Sequence, residues 1–181
     1  MAIKSAEGIR TFFALQSLEV DSIKTESRKI PGKSDWLITH QDSDLAESIC
    51  DSIALKIHGI YTGIESVLKN TAKEFDGYIP EGDNWHSKLL VQMSVQIGDR
   101  NAVVSQVTKD GLNNLRSFRH FLRNDYGAVL DQTRIVELGK VAVTTIELFE
   151  RDWVGFQAEC LGENSAKADD VKAKRPGGCS M

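Results

Sequence analysis

Seven aliphatic residues constrain this chain more than any other feature: Leu45, Ile49, Ile53, Ile57, Ile60, Ile64 and Leu68 follow one another at steps of three or four. That spacing is the repeat of one helix face, and the strict alternation of a half-buried strand is absent. Isoleucine favours strands, but the run is far longer than a strand. It therefore predicts one long helix ending near "FDGYIPEGDN". Asp42 or Ser43 is placed to cap its start, and Asp44 and Glu47 suit the positive end of its dipole.

The other segments follow the same period. From about Ser5 to Glu26, Ile9, Phe12, Phe13, Leu15, Val20 and Ile23 approximate a helical stripe. "RKIPGKSDWLITHQDSD" reads as a loop with Pro31-Gly32 as its turn. A short helix carries Trp85, Leu89, Leu90 and Met93, with Asp83 and Asn84 as its expected caps. "QIGDRNAVVSQVTKDG" is a connection in which Val103 and Val104 cover the core. A fourth helix runs from Ser105 or Lys109 to Asn124, and Gly127 is placed to end it. Asp131 then caps a fifth, where Ile135, Leu138, Val141 or Ala142, Ile146, Phe149 and Trp153 recur at helical spacing. The expectation is an all-α protein: one bundle of four to five helices over residues 1–161. Residues 162–181 hold a single large aliphatic side chain, Val171, so burial cannot offset ordering and a disordered tail is predicted.

Composition narrows the function classes. A net charge of −4 argues against bulk coating of nucleic acid, so any anion site must be a local patch. Cys50, Cys160 and Cys179 form no CxxC pair and have no histidine at metal-ligand spacing, which points to reduced thiols and no metal. No stretch has the apolar length of a membrane span or the pattern of a signal peptide. The expected protein is soluble and cytoplasmic, without a cofactor.

One segment runs against the acidic trend: "LRSFRHFLRNDYGAVLD", 115–131. On a helix, Arg116, Arg119, His120, Arg123 and Asn124 share an arc of roughly 140°, while Leu115, Phe118 and Leu122 share another. The first set is a continuous face of donors and the second docks it on a bundle. Arginine forks grip phosphate oxygens in a bidentate way, and a histidine among them can exchange a proton near neutrality. Together they have the parts to cut a phosphodiester, and RNA brings its own nucleophile, the 2′-hydroxyl. The plainer alternative is a solvated face, with Arg119 paired to Asp125 or Asp131.

"FRHFLRNDYGAVLD" resembles the signature of HepT-like proteins, a branch of the HEPN superfamily of helical ribonuclease toxins. A second block, "LKIHGIYTGIESVLKNTAKEFDGYIPEGDNWHSKLLVQMS", resembles the long helix, acidic "GDNWH" turn and short helix of the same branch. The signature is an arginine, four to six residues, then a histidine, often with a tyrosine two residues later. On this chain Arg119 takes the arginine position and Tyr126 the tyrosine position, but Asn124 stands at the histidine position. Asparagine cannot act as an acid or base near neutral pH. Either His120, one turn earlier, supplies the imidazole, or the site has lost cleavage and kept binding to RNA or a partner.

The resemblance also implies a homodimer with a composite, metal-independent site, exposed residues such as Phe121 meeting a second copy, and RNA as substrate. It implies a minimal nucleotidyltransferase (MNT) antitoxin that attaches AMP at the position of Tyr126. Arg119 then clamps the phosphate, Arg116 and Arg123 grip RNA, and Asn124 orients. His58 and His86 fall in the upstream block, where orienting a neighbour or filling an interface is the expected role of His58. A scaffold whose basic face pairs with an acidic protein is the remaining reading.

Overall fold

The computed structural model describes residues 5–124 and 130–162. Six helices follow in order: α1 Ala6–Ser27, α2 Ile30–Thr39, α3 Ala46–Thr71, α4 Trp85–Met93, α5 Gln106–Asn124 and α6 Gln132–Cys160. Among the described residues there is no strand, only an isolated bridge between Ile97 and Arg100. The all-α bundle is as expected. The segment taken for a loop is not, because it contains α2.

The helix α3 runs through the centre of the bundle. Ile53, Ile57, Ile60, Ile64 and Leu68 are buried, as their spacing requires, whereas Ile49 is only half-buried and Leu45 lies outside the helix and is exposed. Around α3 pack α1, α2, α4, α5 and α6, and one apolar cluster takes residues from all six helices. Close approach is made by glycines where a Cβ would collide. At Gly63 it would lie 2.8 Å from Ile23 of α1, and at Gly139 2.9 Å from Ile30 of α2. Leu15, counted on the α1 stripe, is instead exposed.

Helix ends follow local chemistry. Ser5 caps α1 by accepting from Gly8 N–H at 3.1 Å, and Asp131 caps α6 by accepting from Arg134 N–H at 2.7 Å. Helix α3 ends in a single π-helical turn, Ala72–Asp76, closed by Gly77 at φ 79°. Asn84 sits at the N-cap position of α4 but makes no side-chain capping bond, contrary to expectation. Asp152, on α6, accepts from Ser105 N–H at 2.7 Å and Thr108 Oγ1 at 2.5 Å, so it caps α5 from outside. Burial would raise its pKa, but those donors outweigh it and hold the carboxyl below its ordinary value.

The connection after α4 is fastened by a buried ion pair. Arg100 donates from Nε to Asp76 Oδ1 at 2.6 Å and from Nη2 to Oδ2 at 3.1 Å, and both side chains are almost fully buried. Val103 and Val104 follow as core residues, their amides donating to the carbonyl of Met93. This clasp sets α4 against α3 and delivers the chain to the start of α5.

Candidate functional site

Helix α5 is divided by its sequence into two faces. Leu112, Leu115 and Phe118 are buried against the bundle. Arg116 and Arg119 are half-buried at the edge of that contact, while His120 and Arg123 are exposed. Arg116, Arg119 and Arg123 step by three and four residues, so they form a stripe one side chain wide. Facing it, α3 presents His58, Tyr61 and Glu65 at the same steps. Arg116 and Arg119 act electrostatically on Tyr61, and Arg119 and Arg123 on His58, so the two stripes run antiparallel.

The centre of this arrangement is Glu65, which the sequence did not single out. Its carboxylate is buried, 8% exposed, within a helix face of isoleucines. Tyr61 Oη donates to Oε1 at 3.0 Å, and His86 Nδ1, from the start of α4, reaches the same oxygen. Arg119 Nη1 lies 3.7 Å from Oε2, and its guanidinium carbon is 5.7 Å from the centroid of the Tyr61 ring. A buried carboxylate needs such partners, since charge without them is strongly disfavoured. Arg119 thus pairs with Glu65 and not with Asp131, whose carboxylate is used at the α6 cap; Asp125 lies outside the described residues.

The consequence for Arg119 is a fixed posture. The planar fork is held by a carboxylate on one side and an aromatic face on another, with 17% of the side chain still exposed. Its Nε is buried and has no acceptor among the described residues. Arg116 is steadied separately by donating from Nε to Asn113 Oδ1 at 3.3 Å. An arginine held in this way would lose little freedom on pairing with an anion.

Two neighbours are tuned by the same surroundings. Burial pushes the Tyr61 hydroxyl well above its ordinary pKa, and the Glu65 charge adds to this, so it remains a donor. Burial, then Arg119, then Arg123 lower the pKa of His58, which stays neutral at pH 7. His58 lies half-buried on α3, on the side that faces Arg119 and Arg123.

The structure brings Arg116, Arg119 and Arg123 onto one stripe and puts His120 beside it on the outer surface. The side chain of Asn124, and all of Tyr126, Gly127 and residues 163–181, lie outside the described residues. Phe121, expected at an exposed contact with a second copy, is half-buried: it stacks on Phe118 at 6.3 Å, and Arg134 lies 5.7 Å from its centroid. Glu65 is the member that sequence reasoning passed over, and His86 was placed in the upstream block without a role. The available signal was the i, i+4 spacing of Tyr61 and Glu65 on an otherwise apolar face.

A buried carboxylate thus fixes an arginine on the rim of a helical bundle, beside a histidine-bearing basic face. A family model described as HepT-like protein matches residues 52–160, more than half of the chain, from the second turn of α3 through α6. The chain belongs to the HepT-like family of the HEPN superfamily. Neither the curated proteins nor the solved structures yield a match.

Proposed function

We propose that this protein is the toxin of a toxin–antitoxin pair, a metal-independent RNA endonuclease that is silenced by a nucleotidyltransferase. The observation that carries this reading is the posture of Arg119, which Glu65 and Tyr61 pre-set at the edge of the α3–α5 contact. In-line attack by a 2′-hydroxyl places extra negative charge on the phosphoryl oxygens. A guanidinium already oriented toward that position stabilises the charge without reorganising. Arg116 and Arg123, one turn to either side, grip the neighbouring phosphates. His120 moves a proton from the exposed face, and Asn124 orients by hydrogen bonding. Two copies related by a two-fold axis bring two such stripes together, and Tyr126 is the position for AMP attachment by the antitoxin.

The test is cleavage of total bacterial RNA by the purified protein with a chelator present. Arg119→Ala should lower the rate by about 10²–10³, the usual effect of removing a transition-state donor. His120→Ala should lower it by about 10²–10⁴. His120→Ala should keep the helical content and melting temperature of the wild type, whereas Arg119→Ala, which removes one partner of the buried Glu65, should stay helical but melt at a lower temperature. Full activity in His120→Ala would move the proton transfer to another residue.

A second reading is favoured by one residue. Asn124 replaces the signature histidine, which suits a silent module that binds RNA or a nucleotidyltransferase partner. In that case a correctly folded wild type does not cleave, and Arg119→Ala weakens a salt-sensitive complex instead.

A further inference from the structure

We infer that His86 is a catalytic residue of this site, the general base that takes the 2′-hydroxyl proton. The inference rests on the ribonuclease reading above. Cleavage through a 2′-hydroxyl needs two proton transfers, one from the nucleophile and one to the leaving oxygen. On α5 only His120 offers an imidazole, because position 124 is asparagine. One proton carrier is missing from that helix.

The fold supplies it from α4. His86 and Arg119 are held by the two oxygens of the same carboxylate, His86 Nδ1 at Oε1 and Arg119 Nη1 at Oε2 of Glu65. The imidazole therefore sits beside the phosphate clamp, although the two residues are 33 positions apart in sequence. A carboxylate at Nδ1 requires a proton there, which leaves the lone pair of the neutral ring on Nε2. Nε2 lies on the side of the ring away from Glu65 and makes no hydrogen bond among the described residues. The ring spans the boundary of the core: 22% of the side chain is exposed, against 8% for Glu65. Trp85 stacks on it at 3.7 Å between centroids and limits its tilt. The charged and titratable groups around it are Glu65 and Tyr61 from α3 and Arg119 from α5, with Lys69 of α3 over the Trp85 ring at 5.2 Å.

The step balances with these groups alone. The 2′ O–H bond breaks and its proton passes to Nε2 of His86. The 2′ oxygen forms a bond to phosphorus while the bond from phosphorus to the 5′ oxygen breaks. That oxygen takes a proton from the imidazolium of His120, leaving a 2′,3′-cyclic phosphate and a 5′-hydroxyl. Glu65 is a positioning residue, because it acts through His86 and Arg119 and does not touch the substrate.

The experiment measures cleavage of a defined single-stranded RNA, with chelator, across a range of pH. His86→Asn keeps an N–H donor for Glu65 but cannot accept a proton. Its kcat should fall by at least about 100-fold while KM changes by less than about twofold. The pH profile of the variant should differ from that of the wild type. Should the asparagine variant fold poorly, His86→Ala offers a second route: added imidazole should restore part of its activity. Cleavage by His86→Asn at close to the wild-type rate, with an unchanged pH profile, would overturn the role of His86 and leave the ribonuclease reading standing. A folded wild type that cleaves nothing would overturn both.

Discussion

Glu65 shows how one polar atom pair can organise an apolar interface. The residue has isoleucine or valine neighbours on the inner face of α3, yet it accepts from Tyr61 and His86 and pairs with Arg119 at 3.7 Å. Removing the acceptor strands what it held. Glu65→Leu fits the apolar face in size but leaves the guanidinium of Arg119 and Nδ1 of His86 without a partner. Breaking one side of a buried ion pair costs about 3–5 kcal/mol, more than leucine recovers by burial at about 1.5–3 kcal/mol. Urea unfolding of Glu65→Leu should therefore show a net loss of stability. Glu65→Gln, which still accepts hydrogen bonds, should lose less. Equal or greater stability of Glu65→Leu would mean that the carboxylate contributes nothing to holding the site. The three arginines were legible in the sequence because their spacing is local to one helix. Glu65 was not, because His86 and Arg119 come from two other helices and only folding places them beside it.

At the scale of elements, sequence legibility depended on whether a local signal agreed with the packing. Helix α3 was readable because seven aliphatic side chains repeat over more than six turns. Helix α2 was not, because Pro31-Gly32 is a strong turn signal. In the fold Pro31 occupies the first turn of α2, where a missing N–H costs little, and Ile30, Ser34 and Leu37 bury one narrow face. The approach of α5 to α6 is set by Gly111, and its reason is equally non-local. A Cβ there would lie 3.0 Å from Cγ2 of Thr145 and closer still to its Oγ1. Alanine gains up to about 1 kcal/mol over glycine inside a helix, but overpacking costs about 1–3 kcal/mol, so the clash wins. Gly111→Ala should lower the melting temperature. In a Thr145→Ala background the same change should be neutral or stabilising, since Oγ1 and Cγ2 are gone and only Cβ, at 3.2 Å, remains close. A loss of equal size in both backgrounds would show that the two helices are not limited by this contact.

The whole molecule sets a weak basic stripe on an acidic body. With a net charge of −4, long-range attraction for RNA is small, and the proposed RNA binding would have to come from local contacts by Arg116, Arg119 and Arg123. That makes salt dependence a measure of how many stripes meet one strand. Each phosphate neutralised on a single strand contributes about 0.7 to the slope of log K against log salt. One copy engaging three phosphates should give a slope of about −2. A two-fold dimer with both stripes on the same RNA should approach about −4. The titration is best made with fully 2′-O-methylated RNA, which has no free nucleophile and cannot be consumed. Arg123→Ala should then reduce the slope by about 0.7 if one stripe binds and by about 1.4 if two do. A slope near zero would rule out the stripe as an RNA contact and turn attention to an acidic protein as its partner. A slope of about −2 from a protein that sediments as a dimer would mean that the two sites act separately, and the composite site would have to be abandoned while the single-chain arrangement of Glu65, His86 and Arg119 stood.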